Sequence, residues 1–153
     1  MSADARIAEL KLPLPKPQKP VGTYIPVVQV GNLIYISGHG PTTIDGQQIK
    51  GVVGDELTEE QGKEAARAVG LAMLSTVRNY LGSLDRVKRL VKVLGMVNSA
   101  PDFEHHPNVI NGFSDLMVEV FGDNGRAARS AVGMGSLPFR IAVEVEAIFE
   151  ITD

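Results

Sequence analysis

Arg129-Ser130-Ala131-Val132, the turn Gly135-Ser136-Leu137-Pro138 and the run Ala142-Val143-Glu144-Val145-Glu146-Ala147 together decide how this chain is read. The flanking pieces predict two strands joined by a short connection. In the second, Glu144, Glu146 and Glu150 alternate with Val143, Val145, Ala147 and Phe149, so the glutamates share a face and neighbours stand about 7 Å apart. Alternation alone more often marks a solvated face opposite a core face. Arg129 enters its strand among small residues, where its planar fork could take a carboxylate through two charge-assisted hydrogen bonds, a geometry lysine cannot reproduce. A salt bridge to a strand glutamate is the competing use. An arginine and a carboxylate are equipment for gripping a small organic acid and setting water beside it.

Working outward, Arg86 to Val97 reads as a strand with Val87, Val91, Val93 and Val97 on one face and Leu90, Leu94 and Met96 on the other, so both faces need cover. Thr58-Glu59-Glu60-Gln61 fits a capping box, predicting a helix that runs to Leu81 before Gly82 and buries Val69, Met73, Val77 and Leu81. A second helix is expected from about Pro107 to Phe121, burying Val109, Phe113, Met117 and Val120. Tyr24 to Val30 and Leu33 to Ser37 flank Gly31-Asn32 as a hairpin, and a third short strand is expected around Gln47 to Val53. Asp4 to Leu10 reads as a short helix, and the four prolines between Pro13 and Pro20 as an extended connector.

The expected order is βββαβαββ in an α+β domain: an arm over 1–20, then one domain over 21–153, with a mixed sheet of about six strands and two helices on one face. Two helices leave the other face uncovered, and its apolar side chains point to self-association.

At 153 residues with 44% hydrophobic and 22% charged side chains, the chain can bury a single substantial core. It has no apolar run near the roughly 20 residues of a membrane span, and its charged N-terminus leads into no secretory h-region, so a soluble, cytoplasmic protein without membrane contact is expected. A net charge of −3 with no Lys/Arg cluster disfavours nucleic acid. The absence of cysteine removes disulfides, thiolate nucleophiles and Cys-bound metal. His105 and His106 are adjacent without a third ligand at suitable spacing, so no metal site is expected. His39, in Ser37-Gly38-His39-Gly40-Pro41, lies where a strand ends and a ligand could meet an imidazole, although a turn histidine without chemistry is the commoner case.

Gly31-Asn32-Leu33-Ile34-Tyr35-Ile36-Ser37-Gly38, the stretch from Val97 to Phe103, Val109-Ile110-Asn111-Gly112 and the Ala128 to Ala147 segment, in this order, resemble the Rid family of reactive intermediate deaminases, also called YjgF-like. The resemblance covers about Val21 to Ile151. It implies a chorismate-mutase-like fold, a homotrimer with a cleft between each pair of subunits, and cofactor-free hydrolysis of enamine or imine intermediates to a 2-keto acid and ammonia. By position, Arg129 would bind the substrate carboxylate and Glu144 would orient or activate water. The backbone of Gly38 and Ala131 would hold the imine and carboxylate, and Tyr24, Ser37 and Asn111 would line the cleft. His39 stands where relatives commonly carry glutamine, and the Gly133 to Arg140 loop has its own sequence, which bears on pocket size. Two other functions stand beside this one: a trimeric small-carboxylate-binding or regulatory protein without chemistry, and an endoribonuclease. Against the latter stand the acidic pI and only eight aromatic side chains, three Tyr and five Phe, where RNA grip needs cationic and stacking surfaces.

Overall fold

A computed structural model describes all 153 residues. Three helices, α1 (Ala3–Glu9), α2 (Glu59–Leu81) and α3 (His106–Phe121), accompany five strands: β1 (Val27–Val30), β2 (Leu33–His39), β3 (Val87–Asn98), β4 (Ala128–Met134) and β5 (Val143–Ile151). The strands form one sheet in the order β1-β2-β5-β3-β4. Only β3 and β4 run parallel, as expected of strands joined through a helix.

Local chemistry accounts for the helix ends. The Thr58 hydroxyl accepts from the Gln61 amide at 3.1 Å while the Gln61 side chain accepts from the Thr58 amide at 2.9 Å, satisfying two donors that helix geometry leaves without partners. Gly82, at φ 84°, then ends α2 in a left-handed cap. The two long helices cover one sheet face, where Val93 and Val97 of β3 and Val143, Val145 and Phe149 of β5 are fully buried against Val69, Met73 and Val77 of α2 and Phe113 and Met117 of α3. The helices cross so closely that a Cβ on Gly112 would lie 2.0 Å from the Lys63 carbonyl oxygen.

Two expectations need correction. The sheet has five strands, because Gln47 to Val53 makes only isolated bridges, Thr42 to Gln48, Lys50 to Ile141 and Val53 to Ser99. Gly46 and Gly51, at φ 81° and 130°, break the run of extended dihedrals a ladder needs. In β3 the pairing with β5 slips between Leu90 and Lys92. That bulge turns Leu90 to the core with Val93 and Val97 and leaves Val91 half-buried, so simple alternation assigned both to the wrong face.

The first twenty residues lie on the body. Ile7 is buried in the main core, Arg6 Nε donates to the Glu119 carbonyl at 2.9 Å, and the Ser75 hydroxyl donates to the Pro15 carbonyl. The opposite sheet face carries no helix. Val28, Tyr35 and Ile148 sit in one row across it, and Met96 is flanked by Glu144 and Val132 in another.

Candidate functional site

The site begins with an irregularity in β2. Ile36 pairs with Ala147 and His39 with Val145, so three steps along β2 match two along β5, and Ser37-Gly38 bulge outward. Glu144 fills the space this opens: a Cβ on Gly38 would lie 2.2 Å from Glu144 Oε2. Only glycine lets the carboxylate rest against the β2 backbone there. Glu144 is half-buried, and its pKa is raised above the ordinary glutamate value, first by burial and then by repulsion from Glu146.

On the far side of the bulge, His39 Nδ1 lies 2.7 Å from the Ser37 carbonyl oxygen and Nε2 lies 2.8 Å from Thr76 Oγ1 of α2. A carbonyl only accepts, so Nδ1 carries the proton and Nε2 accepts from the threonine hydroxyl. Burial pushes the imidazole pKa down, against the opposing effect of the Ser37 carbonyl, and the ring is neutral at physiological pH. The Ser37 hydroxyl donates to the Ile25 carbonyl at 2.7 Å, fixing the segment that carries Tyr24.

Tyr24, Ser37, Gly38, His39 and Glu144 all line one cavity of about 770 Å³, together with Glu146, Pro138 and Phe139 from the β5 side and Lys16 and Lys19 from the N-terminal segment. Sequence reasoning missed Thr76, although a threonine three residues after Met73 on a buried helical stripe is a usable signal. It also missed the lysines, having read their segment as a connector.

Arg129, Asn111 and Ala131 form a second group. Arg129 Nη1 donates to Asn111 Oδ1 at 2.8 Å and to Ser114 Oγ at 3.1 Å, both on α3, while its Nε and Nη2 make no hydrogen bond to the protein and no carboxylate lies within salt-bridge distance. The salt-bridge alternative is therefore not realised. Register explains the separation from Glu144. Arg129 pairs with Val93, on the helix-covered face, whereas Glu144 pairs with Met96, on the open face. Within one protomer the two groups stand on opposite sides of the sheet.

The histidines near α3 diverge. His105 Nδ1 meets Glu59 at 2.6 Å and His106 Nε2 meets the Ser99 hydroxyl at 3.1 Å. No three His, Asp or Glu side chains come together in a metal-binding group, and no helix is long and apolar enough to cross a membrane.

One further strained feature faces the cavity. Phe139 and Arg140 are consecutive non-glycine residues at φ 57° and 59°, a conformation that costs of order 1–3 kcal/mol at each position. The Arg140 guanidinium donates to Glu56, which also accepts from the Val52 amide at 3.1 Å, and the Arg140 carbonyl accepts from the Gly51 amide at 3.0 Å. The same guanidinium holds the Glu56 carboxyl below the usual carboxylate range.

Comparison with known proteins places these features in a lineage. A family model described as "YjgF/chorismate_mutase-like, putative endoribonuclease" matches residues 4–149. Protein TCP17 of Trypanosoma cruzi is 42% identical over 150 residues, covering 97% of this chain and 94% of that protein. A 2-iminobutanoate/2-iminopropanoate deaminase of Dermatophagoides farinae is 30% identical over 138 residues, covering 90% of this chain and 92% of that protein. A crystal structure titled as a putative endoribonuclease from Shewanella oneidensis MR-1 superposes with a TM-score of 0.94 at 27% identity, covering 99% of this chain and 100% of that one.

Proposed function

Because this chain belongs to the YjgF/chorismate-mutase-like family that includes the Rid proteins, we propose that it is a hydrolytic deaminase of enamine and imine intermediates, releasing a 2-keto acid and ammonia. The observation that carries this reading is the half-buried Glu144, seated against the Ser37-Gly38 bulge with its pKa raised, in a cavity with Tyr24. A carboxylate with raised affinity for protons can both take a proton from water and return it. Water oxygen bonds to the imine carbon, the C=N π electrons move to nitrogen, and Glu144 accepts the water proton. Glu144 returns that proton to nitrogen, giving a carbinolamine, and then relays the hydroxyl proton to the same nitrogen, so that the C–N bond breaks as the carbonyl forms and ammonia leaves. The imine carbon is already electrophilic, so positioning and proton transfer suffice.

On this reading the active assembly is a homotrimer and the site lies between subunits, with Arg129 of one protomer, steadied by Asn111 and Ser114, facing the Glu144 cavity of the next. Two features support it: the unused Nε and Nη2 of Arg129, and the apolar residues Val28, Tyr35, Ile148, Met96 and Val132 on the uncovered face. The backbone of Gly38 and Ala131 would hold the imine and the carboxylate, and Ser37 would keep the Tyr24 segment against the cleft. Residence in the cytoplasm, where amino-acid-derived imines arise, belongs to the same reading.

The test generates 2-aminoacrylate or 2-iminobutanoate with a pyridoxal-phosphate lyase and follows keto-acid release. Wild type should accelerate it and Arg129→Ala should abolish the acceleration. No acceleration across several side chains would reject the reaction, and light scattering that returned a monomer would reject the shared site. A keto acid that binds wild type and Glu144→Gln equally, with no turnover by either, would favour a non-catalytic binding protein instead. Cleavage of RNA at physiological salt, lost in Arg129→Ala, would favour the endoribonuclease.

A further inference from the structure

Phe139 is held in a backbone conformation that bulky side chains avoid, yet the residue is 65% exposed and is no part of the core. The protomer's own core does not use that side chain. Instead the turn is pinned from behind, through Arg140 to Glu56 and Gly51 and through the Ile141 amide to the Pro138 carbonyl at 3.2 Å, and Phe139 forms part of the cavity wall with Pro138, Ile141 and Tyr24. Tyr24 is itself 46% exposed. An aromatic fixed at the rim of a cavity loses little conformational freedom when an apolar group docks on it. The cavity, at about 770 Å³, falls in the range that encloses ligands far larger than a three-carbon acid.

Resting on the deaminase reading, we propose that Phe139 is a specificity-determining residue and that the preferred substrates are imines of 2-keto acids with large apolar side chains, such as those derived from leucine or phenylalanine, rather than from alanine. The side chain lies on the Phe139 wall while the C=N carbon sits at Glu144 and the carboxylate on the fork of Arg129 from the neighbouring protomer. Lys16 and Lys19, at the same cavity without ion-pair partners, pose the one rival, an acidic side chain, and the experiment includes it.

An L-amino acid oxidase supplies imines from leucine, phenylalanine, alanine and glutamate, and acceleration of keto-acid release is measured for wild type and Phe139→Gly. Glycine suits a positive φ, so this variant should unfold at the same or a higher temperature than wild type, and lost selectivity cannot then be ascribed to misfolding. Wild type should favour the leucine and phenylalanine imines over the alanine imine by about tenfold in kcat/KM, and Phe139→Gly should erase that ratio while still processing the alanine imine. Equal use of all imines, preference for the glutamate imine, or a ratio that survives in Phe139→Gly would overturn the assignment while leaving the reaction standing. If no imine is accelerated, the reaction fails on its own, and calorimetric titration decides the wall separately. Tighter binding of 4-methyl-2-oxopentanoate than of pyruvate, lost in Phe139→Gly, supports it, and equal binding refutes it.

Discussion

Replacing Gly38 by alanine tests the site at its tightest point. The new Cβ would lie 2.2 Å from Glu144 Oε2 where ordinary contact begins at 3.4 Å, so the oxygen must retreat by about 1.2 Å. The obstructing atom is the end of a flexible side chain, and Gly38 is not among the residues at positive φ. The fold can therefore accept the methyl group, with the entropic gain of Gly→Ala, about 0.4–1 kcal/mol, offsetting part of the crowding. On the deaminase reading, catalysis cannot accept it so readily. A misplacement of about 1 Å costs on the order of 100-fold in rate, or about 2.7 kcal/mol of transition-state stabilisation. The coupled imine assay should show kcat/KM for Gly38→Ala reduced by about that factor, with a melting temperature within a few degrees of wild type. Glu144→Asp supplies the cross-check. Its shorter carboxylate already stands back from β2, so adding Gly38→Ala to it should cost much less than adding it to wild type, a non-additivity expected only of groups in contact. Full activity in Gly38→Ala, or additive losses in the double variant, would refute the contact's role.

The remaining predictions concern protons and packing. Because burial and Glu146 raise the Glu144 pKa, activity of the substrate complex that needs the ionised carboxylate should fail, as pH drops, at a higher pH than an ordinary glutamate would give; Glu146→Gln removes the like charge and should move that limb to lower pH in a kcat profile. His39 has a depressed folded-state pKa, so its contribution to stability is complete above the ordinary value of 6.5 and is lost as pH falls through the lower folded value. His39→Gln should flatten the pH dependence of the urea midpoint in that window. Phe149→Ala, which empties a fully buried position on the helix-covered face, should cost about 3–5 kcal/mol in denaturant unfolding.

What could be read from the sequence was what local chemistry writes down. Thr58, Gln61 and Gly82 announce both ends of α2 because caps are satisfied within a few residues. The Gly31-Asn32 hairpin and the Val143 to Ile151 alternation are likewise local, and the Glu144 neighbourhood was found through them. What was lost depends on partners far along the chain. The β3 bulge is set by its register with β5, so alternation misassigned Leu90 and Val91. The face on which Arg129 emerges is decided by its pairing with Val93, and nothing in Arg129-Ser130-Ala131-Val132 states that. The left-handed Phe139 has no signature either, because Glu56 and Gly51, more than eighty residues earlier, hold that turn in place.

The separation of Arg129 from Glu144 has an electrostatic consequence that bears on the proposed assembly. Had one chain brought them together, guanidinium and carboxylate would have paired, the glutamate pKa would have fallen, and both groups would have spent their hydrogen bonds on each other. In the protomer the glutamate pKa is instead raised, and two of the three arginine nitrogens have no protein partner. If a neighbouring subunit supplies Arg129 to this cavity, its charge must pull the Glu144 pKa down until the substrate carboxylate arrives and occupies the fork. Substrate binding then restores the carboxylate's affinity for protons at the moment a proton must be taken from water. The two states separate experimentally: kcat/KM reports the unliganded enzyme and kcat the complex. The acid limb should therefore lie at lower pH in kcat/KM than in kcat, and coincident limbs would show that Arg129 and Glu144 do not share a site.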